Sequence, residues 1–182
     1  MKKILSVILL ACLVAIGYLY YTPYIAIKNL ARAAEVQDVD EVAKYIDSTS
    51  IKTSLSEQIN TMMTKELMSN DEVKNNPLSV LALGLFTPLF DAASTTISTP
   101  EGITQLFNGK NPLNANNEEN EALINLGNNR LSSAETEYID VNTFNVYIRN
   151  PENEKITLVF ERNGLIGWKM VKMRLPDFKV AH

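Results

Sequence analysis

Phe144-Asn145-Val146-Tyr147-Ile148-Arg149 and Lys155-Ile156-Thr157-Leu158-Val159-Phe160-Glu161-Arg162, with Asn150-Pro151-Glu152-Asn153 in the connection between them, are two runs in which apolar and polar residues alternate. A side-chain period of two places Phe144, Val146 and Ile148 on one face with Ile156, Leu158 and Phe160, the signature of a half-buried antiparallel pair. Working outward, Asn163-Gly164 is a strong type I′ hairpin signal and opens a further run, Leu165 to Leu175, which Pro176 ends. Upstream, Glu135 to Ile139 reaches Phe144 through Asp140 to Thr143. The last third, 132–176, therefore reads as a three- to four-stranded antiparallel meander. A strict two-residue turn pairs Val159 with Trp168, whereas a bulge at Gly167 pairs Phe160 with Trp168 and turns the indole to the core. Both registers suit the pattern. Tyr147, Arg149, Thr157 and Glu161 form a polar outer face.

Before the strands, from Pro23 to about Phe107, apolar residues recur at helical spacing, so the class is α+β with four to five helices ahead of the sheet. Thr22 and Pro23 read as the cap and first residue of a helix with the stripe Ile27, Leu30, Ala31 and Ala34, continuing after a kink from the segment before it. Asp38 with Glu41 forms an aspartate capping box for a short helix that buries Val42, Ala43 and Ile46. Asp38, Asp40 and Glu41 as a cation site is the weaker account of the same residues. A third helix, about Ser50 to Met68, carries Ile51, Leu55, Ile59, Met62, Met63 and Leu67. Thr99-Pro100-Glu101 caps a last helix through Ile103, Leu106 and Phe107.

Between these two comes Leu-Ser-Val-Leu-Ala-Leu-Gly-Leu-Phe-Thr-Pro-Leu-Phe, 78–90, apolar on nearly every side and expected to kink or divide near Thr87 at Pro88. It is too short and too broken to span a bilayer. A helix apolar all round is ordinarily core. The sharper reading makes Leu81, Leu85, Phe86, Leu89 and Phe90, with Met62 and Met63 of the preceding helix, a surface for an apolar ligand or a partner. From Asn108 to Asn129 the chain is asparagine-rich and acidic, a linker over 109–131 with at most a helical turn at Ala122 to Leu126.

The N-terminus supplies the location. From Ile4 to Tyr21 there are 18 residues without a charge, close to the ~20 that span a bilayer. Tyr18, Tyr20, Tyr21 and Tyr24 form an aromatic belt at the far end, and the positive charge of Lys2, Lys3 and the amino terminus orients the N-terminus inward and the body outward. Cleavage after Gly17 leaves the poor mature start Tyr-Leu-Tyr-Tyr, and a lipobox at Leu9-Leu10-Ala11-Cys12 has most of its apolar residues on the wrong side. An uncleaved signal-anchor over 1–21 is expected, with 22–182 a single extracytoplasmic domain (helical part 22–108) at a bacterial inner membrane, facing the periplasm or the outside.

Composition excludes several classes. With Lys2 and Lys3 in the anchor, 15 basic residues face 21 acidic ones in the body, a net −6 that disfavours nucleic acid. The one cysteine, Cys12, lies in the apolar run and the one histidine, His182, is terminal. Disulfides, thiol-bearing metal sites and histidine-based nucleophiles are not expected, and no catalytic motif or cofactor signature is present. Asp47, Lys52 and Ser54 are the most conspicuous polar group. Ser54 and Lys52 stand about 200° apart on a helix, so they read as junction residues, not as a nucleophile and base.

The anchor with Pro23-Tyr24-Ile25-Ala26, Leu30, Asp38, Ile46-Asp47, Ile51-Lys52-Thr53-Ser54-Leu55, Gln58, Thr99-Pro100-Glu101-Gly102, Arg162-Asn163-Gly164-Leu165, Trp168 and Leu175-Pro176 resembles an uncharacterised bacterial family of membrane-anchored domains of unknown function. The family's usual arginine is matched by Lys52 here. More loosely, short helices before a meander ending Gly-Leu-x-x-Trp-Lys are similar to cystatin-like and nuclear-transport-factor-like α+β domains, which often cup a cavity between helices and sheet. These resemblances imply no activity. The expected function is a non-catalytic, membrane-anchored binding or assembly module with an envelope protein partner; the alternative is a binder of an apolar small molecule or lipid between helices and sheet.

Overall fold

Thr22 and Pro23 sit in the interior of a helix, not at its start. In the computed structural model, which describes residues 2–69, 77–113, 134–149 and 153–176, helix α1 runs unbroken from Lys2 to Glu35. Side chains at residues 2, 66–69, 77–83 and 85 are outside that description. Proline removes the N–H that would reach the carbonyl of residue i−4, here Leu19. The Thr22 hydroxyl donates to the Leu19 carbonyl instead, at 2.7 Å, and fills the gap that would otherwise break the helix. The capping expectation fails for that reason. The N-terminal part of α1 is exposed through its apolar run, and its C-terminal part buries Ala26, Leu30, Ala33 and Ala34. One helix thus carries both the long apolar run and part of the core.

Its end is a Schellman motif: the Asp38 N–H reaches the Ala33 carbonyl, the Gln37 N–H reaches Ala34, and Gln37 takes a positive φ of 58°. Helix α2 (Val39–Lys44) follows, its first turn capped as expected by Asp38, which accepts from the Glu41 N–H at 3.0 Å. The reciprocal half of the box is absent, because the Glu41 carboxylate turns to Lys44 and Tyr45. Val42 and Ile46 are buried while Ala43 is exposed. Helix α3 spans Ser48–Ser69, α4 Pro77–Ser98 and α5 Pro100–Phe107. Thr99 caps α5 by accepting from the Gly102 N–H, and Ile103, Leu106 and Phe107 are buried as the spacing predicts.

Strands β1 (Glu135–Tyr138), β2 (Thr143–Arg149), β3 (Lys155–Asn163) and β4 (Gly167–Arg174) form one antiparallel sheet in the order β1-β2-β3-β4. Phe144 opposes Phe160, Val146 opposes Leu158 and Ile148 opposes Ile156, all buried, as the alternation requires. The β3–β4 turn differs from both expected registers. Asn163 pairs with Gly167 around the three residues Gly164 to Ile166, with Gly164 at φ +75°, so Trp168 opposes Arg162. The irregularity lies farther along, where Phe160 opposes Met170 but Val159 opposes Lys172, leaving Val171 as the extra residue. Trp168 and Met170 therefore share the core face before the bulge and Met173 after it. The outer face is not solvent-facing throughout, since Asn145, Thr157 and Val159 are buried on it.

Helices and sheet close on a core of Leu30, Ile51, Leu55, Ile103, Phe144, Phe160, Trp168 and Met170, against which Ile97 of α4 and Tyr138 of β1 pack half-buried. The link between α2 and α3 is fastened to β4 by two backbone bonds, Met170 N–H to Tyr45 O at 2.8 Å and Asp47 N–H to Met170 O at 2.9 Å. This covers part of an otherwise open sheet edge. The expected linker turn at Ala122 to Leu126, the turn residues 150–152 and the tail from Asp177 lie outside the described residues.

Candidate functional site

The apolar segment 78–90 lies within α4, which continues through Pro88 to Ser98. The expected division at Thr87 does not occur. A mid-helix proline costs about 3 kcal/mol, and packing of α4 along α3 carries the helix across it. Lys52 of α3 reaches Asp91 of α4 at 3.2 Å, one turn past the proline. That pair is exposed and contributes at most ~1 kcal/mol, so packing, not charge, sets the arrangement.

Among the residues singled out in sequence, Phe86 is 48% exposed and Leu89 63%, while Phe90 is half-buried. The Phe86 and Phe90 rings lie one turn apart with centroids at 6.3 Å, tilted by 44°. Met62 and Met63 are half-buried on α3. The side chains of Leu81 and Leu85 lie outside the described residues. The structure thus brings Phe86 and Phe90 together and leaves Leu89 beside them in the open, but it sets Met62 in a different place. Met62 lines a groove between α3 and β4 with Glu57, Gln58, Lys65, Lys172 and Arg174.

That groove was not legible in sequence as a site, and its best-placed polar residue is structural. Gln58 donates to the Met173 carbonyl at 2.8 Å and accepts from the Leu175 N–H at 3.0 Å, pinning the end of β4 to α3. Asp47 is likewise a cap. Its carboxylate accepts from the Ser50 N–H at 3.1 Å, and this bond, above all, holds its pKa below the ordinary aspartate value. Lys52 goes to Asp91, and the Ser54 hydroxyl meets the Gln58 amide at 3.1 Å. Asp47 thus caps α3, Lys52 reaches across to α4 and Ser54 is bonded within α3, and none of the three meets another. Among the described residues no three His, Cys, Asp or Glu side chains gather as a metal site would require.

On the sheet's outer face the Tyr147 hydroxyl donates to the Glu137 carboxylate at 2.6 Å, and Lys155 stands 3.5 Å over the Tyr147 ring. The hydrogen bond to Glu137 is the main cause of an upward shift of the Tyr147 pKa. These contacts tie β1, β2 and β3 together on the surface and gather no reactive group. Chemically, the arrangement offers apolar contact area on α4 and a mixed-charge groove beside α3.

Comparison with known proteins adds one match. No curated protein and no solved structure matches the chain, so the loose likeness to cystatin-like and nuclear-transport-factor-like domains has no structural counterpart behind it. A family model described as Protein of unknown function (DUF2939) matches residues 12–106, which run from within the apolar part of α1 to the penultimate residue of α5. The sheet, with Arg162 to Leu165 and Trp168, falls beyond the matched residues, so the resemblance is narrower than its motifs suggest. An N-terminal helix able to span a membrane, a helical unit across the matched residues and a meander together describe a chain that belongs to the DUF2939 family of proteins of unknown function.

Proposed function

We propose that this chain is a non-catalytic, single-pass module of the bacterial cell envelope, anchored in the inner membrane by α1 with its body outside, and that it binds or assembles with a partner protein through the apolar face of α4. The observation that carries this reading is the exposure of Phe86 and Leu89 on a helix that meets the core through Ile97, farther along toward its C-terminal end. Large apolar side chains grouped in the open on one helix mark a contact surface more often than scattered ones do. Two aromatic rings one turn apart supply area at a low entropy cost. The second reading, capture of a lipid acyl chain, rests on the same face, because Phe86, Phe90 and Leu89 offer no hydrogen-bonding group to an occupant.

The test is detergent extraction of the full-length chain with native mass spectrometry of the eluate, for the wild type, Phe86→Ser and Leu89→Ser. A partner protein present with the wild type and lost with both variants, at an unchanged melting temperature, supports assembly. A lipid lost in the same way supports the second reading. Exposed substitutions shift stability by no more than ~0.5 kcal/mol. A marked drop in melting temperature, with the occupant retained by the folded fraction, would contradict a binding role for α4.

A further inference from the structure

Four exposed apolar side chains sit at the tips of two hairpins, Ile139 and Val141 between β1 and β2, and Leu165 and Ile166 between β3 and β4. Val141 and Leu165 are each 76% exposed, more than any of the anchor's described large apolar side chains, of which Leu5 is the most open at 70%. Turn tips in water are ordinarily polar, so β-branched and aliphatic residues here need an account. The two tips are held side by side by one residue. Arg162 donates from Nε to the Val141 carbonyl at 3.0 Å and from a terminal nitrogen to the Leu165 carbonyl at 2.9 Å, with its guanidinium 4.4 Å over the Trp168 ring.

Contacts to α1 fix the direction in which these tips point. Moving toward the N-terminus of α1, Tyr24 meets Phe144, Thr22 accepts from the Trp168 indole, and the Tyr20 ring stacks on Tyr138 at 4.7 Å while its carbonyl accepts from the Tyr138 hydroxyl. Tyr18 and Ile166 then line one groove. The strands thus descend alongside the helix, and Ile139 and Val141 lie beyond Tyr138, on the side where the apolar run of α1 begins. Eighteen residues at 1.5 Å each give that run ~27 Å, so Tyr18, Tyr20 and Tyr21 fall at the boundary of a ~30 Å hydrocarbon core.

We infer that the β1–β2 and β3–β4 tips rest in the interfacial layer of the same bilayer that holds α1, so that Ile139, Val141, Leu165 and Ile166 insert beside the tyrosine belt and fix the body's tilt on the membrane. Interfacial apolar elements sit ~5–10 Å into the headgroup and acyl boundary, a depth that hairpin tips reach without unpairing a strand. Continuity with α1 identifies the occupant as lipid, because the chain that carries the tips already enters the bilayer one helical turn away. The charged groups at this end are compatible with the headgroup layer. Asp140 turns its carboxylate back on the Asn142 N–H at 2.7 Å, Arg162 is engaged by the tips themselves, and Glu161 and Lys169 oppose one another across the strands.

This inference rests on the anchoring of α1, and site-directed spin labelling separates the two. Cys12→Ser removes the one native thiol; nitroxides are then attached singly at Val141→Cys, Leu165→Cys, Leu9→Cys and Glu154→Cys in the full-length chain. The labelled chains are reconstituted in phosphatidylcholine and phosphatidylglycerol vesicles, and folding is checked by the melting of each. The expected result is an oxygen-to-nickel-chelate accessibility ratio several-fold higher at 141 and 165 than at 154, with 9 the deepest. A Leu9 label open to water refutes the anchor and the inference with it. A deep Leu9 label with 141 and 165 as accessible as 154 overturns the inference alone, as does immersion of 154 together with the tips.

Discussion

Trp168 is held by one hydroxyl that does two jobs. The indole N–H donates to Thr22 Oγ1 at 2.8 Å, and the Thr22 hydroxyl donates in turn to the Leu19 carbonyl that Pro23 leaves without a donor. Removing the ring by Trp168→Ala is expected to lower stability by ~3–5 kcal/mol, since the side chain is almost completely buried. Thr22→Val keeps the volume but orphans a buried donor and a helical carbonyl, and is expected to cost ~1–3 kcal/mol by thermal or urea unfolding. The opposite sign is expected at Gln37, which holds a left-handed conformation that costs a side-chain-bearing residue ~1 kcal/mol. Gln37→Gly should therefore raise stability by up to ~1 kcal/mol. Neither the Thr22–Trp168 bond nor the strain at Gln37 was legible in sequence. The first joins residues 146 positions apart, and the second follows from where α1 stops.

At the scale of elements, the junction of α4 and α5 leaves no room for a side chain at Gly102, where a Cβ would stand 2.1 Å from the Thr96 carbonyl oxygen. Gly102→Ala must push two backbones apart, and melting should show a loss of ~1–3 kcal/mol or more. The cap of α3 carries a pH dependence of known sign. Because the folded pKa of Asp47 is lowered, its contribution is present above the unfolded value near ~4 and is lost as pH falls through the folded value. The stability difference between wild type and Asp47→Asn should therefore narrow as the pH drops below ~4, a trend that paired melts can follow. Elements defined by period and caps were readable in advance: the Asp38 and Thr99 caps, the buried face of α5 and the core face that Phe144 shares with Phe160. Those that depend on a contact from elsewhere were not. Thr22-Pro23 and Thr87-Pro88 look like helix starts or breaks, and only the Leu19 hydrogen bond and the packing of α3 on α4 make them interior. The Asn163-Gly164 pair signalled a turn correctly, but a loop of three residues with a bulge at Val171 set the register. For the candidate site, the apolar run was visible in sequence, whereas the openness of Phe86 and Leu89 required knowing that the core closes without them.

For the whole molecule, α1 is at once the only candidate membrane span among the described residues and a wall of the core. A body cut back to Lys28 loses Thr22, Tyr24 and Ala26 and uncovers Trp168. A chain beginning at Tyr18 should melt cooperatively, and one beginning at Lys28 should melt well below it or without cooperativity. Anchoring through α1, as proposed, requires that helix to stay whole in the mature protein, since the candidate span is the same helix that packs on the sheet. Intact-mass measurement of the chain extracted from the membrane fraction tests this most directly. The full-length chain retaining residues before Cys12 is the expected result, and a mature form beginning at Tyr18, or at an acylated Cys12, would contradict the account.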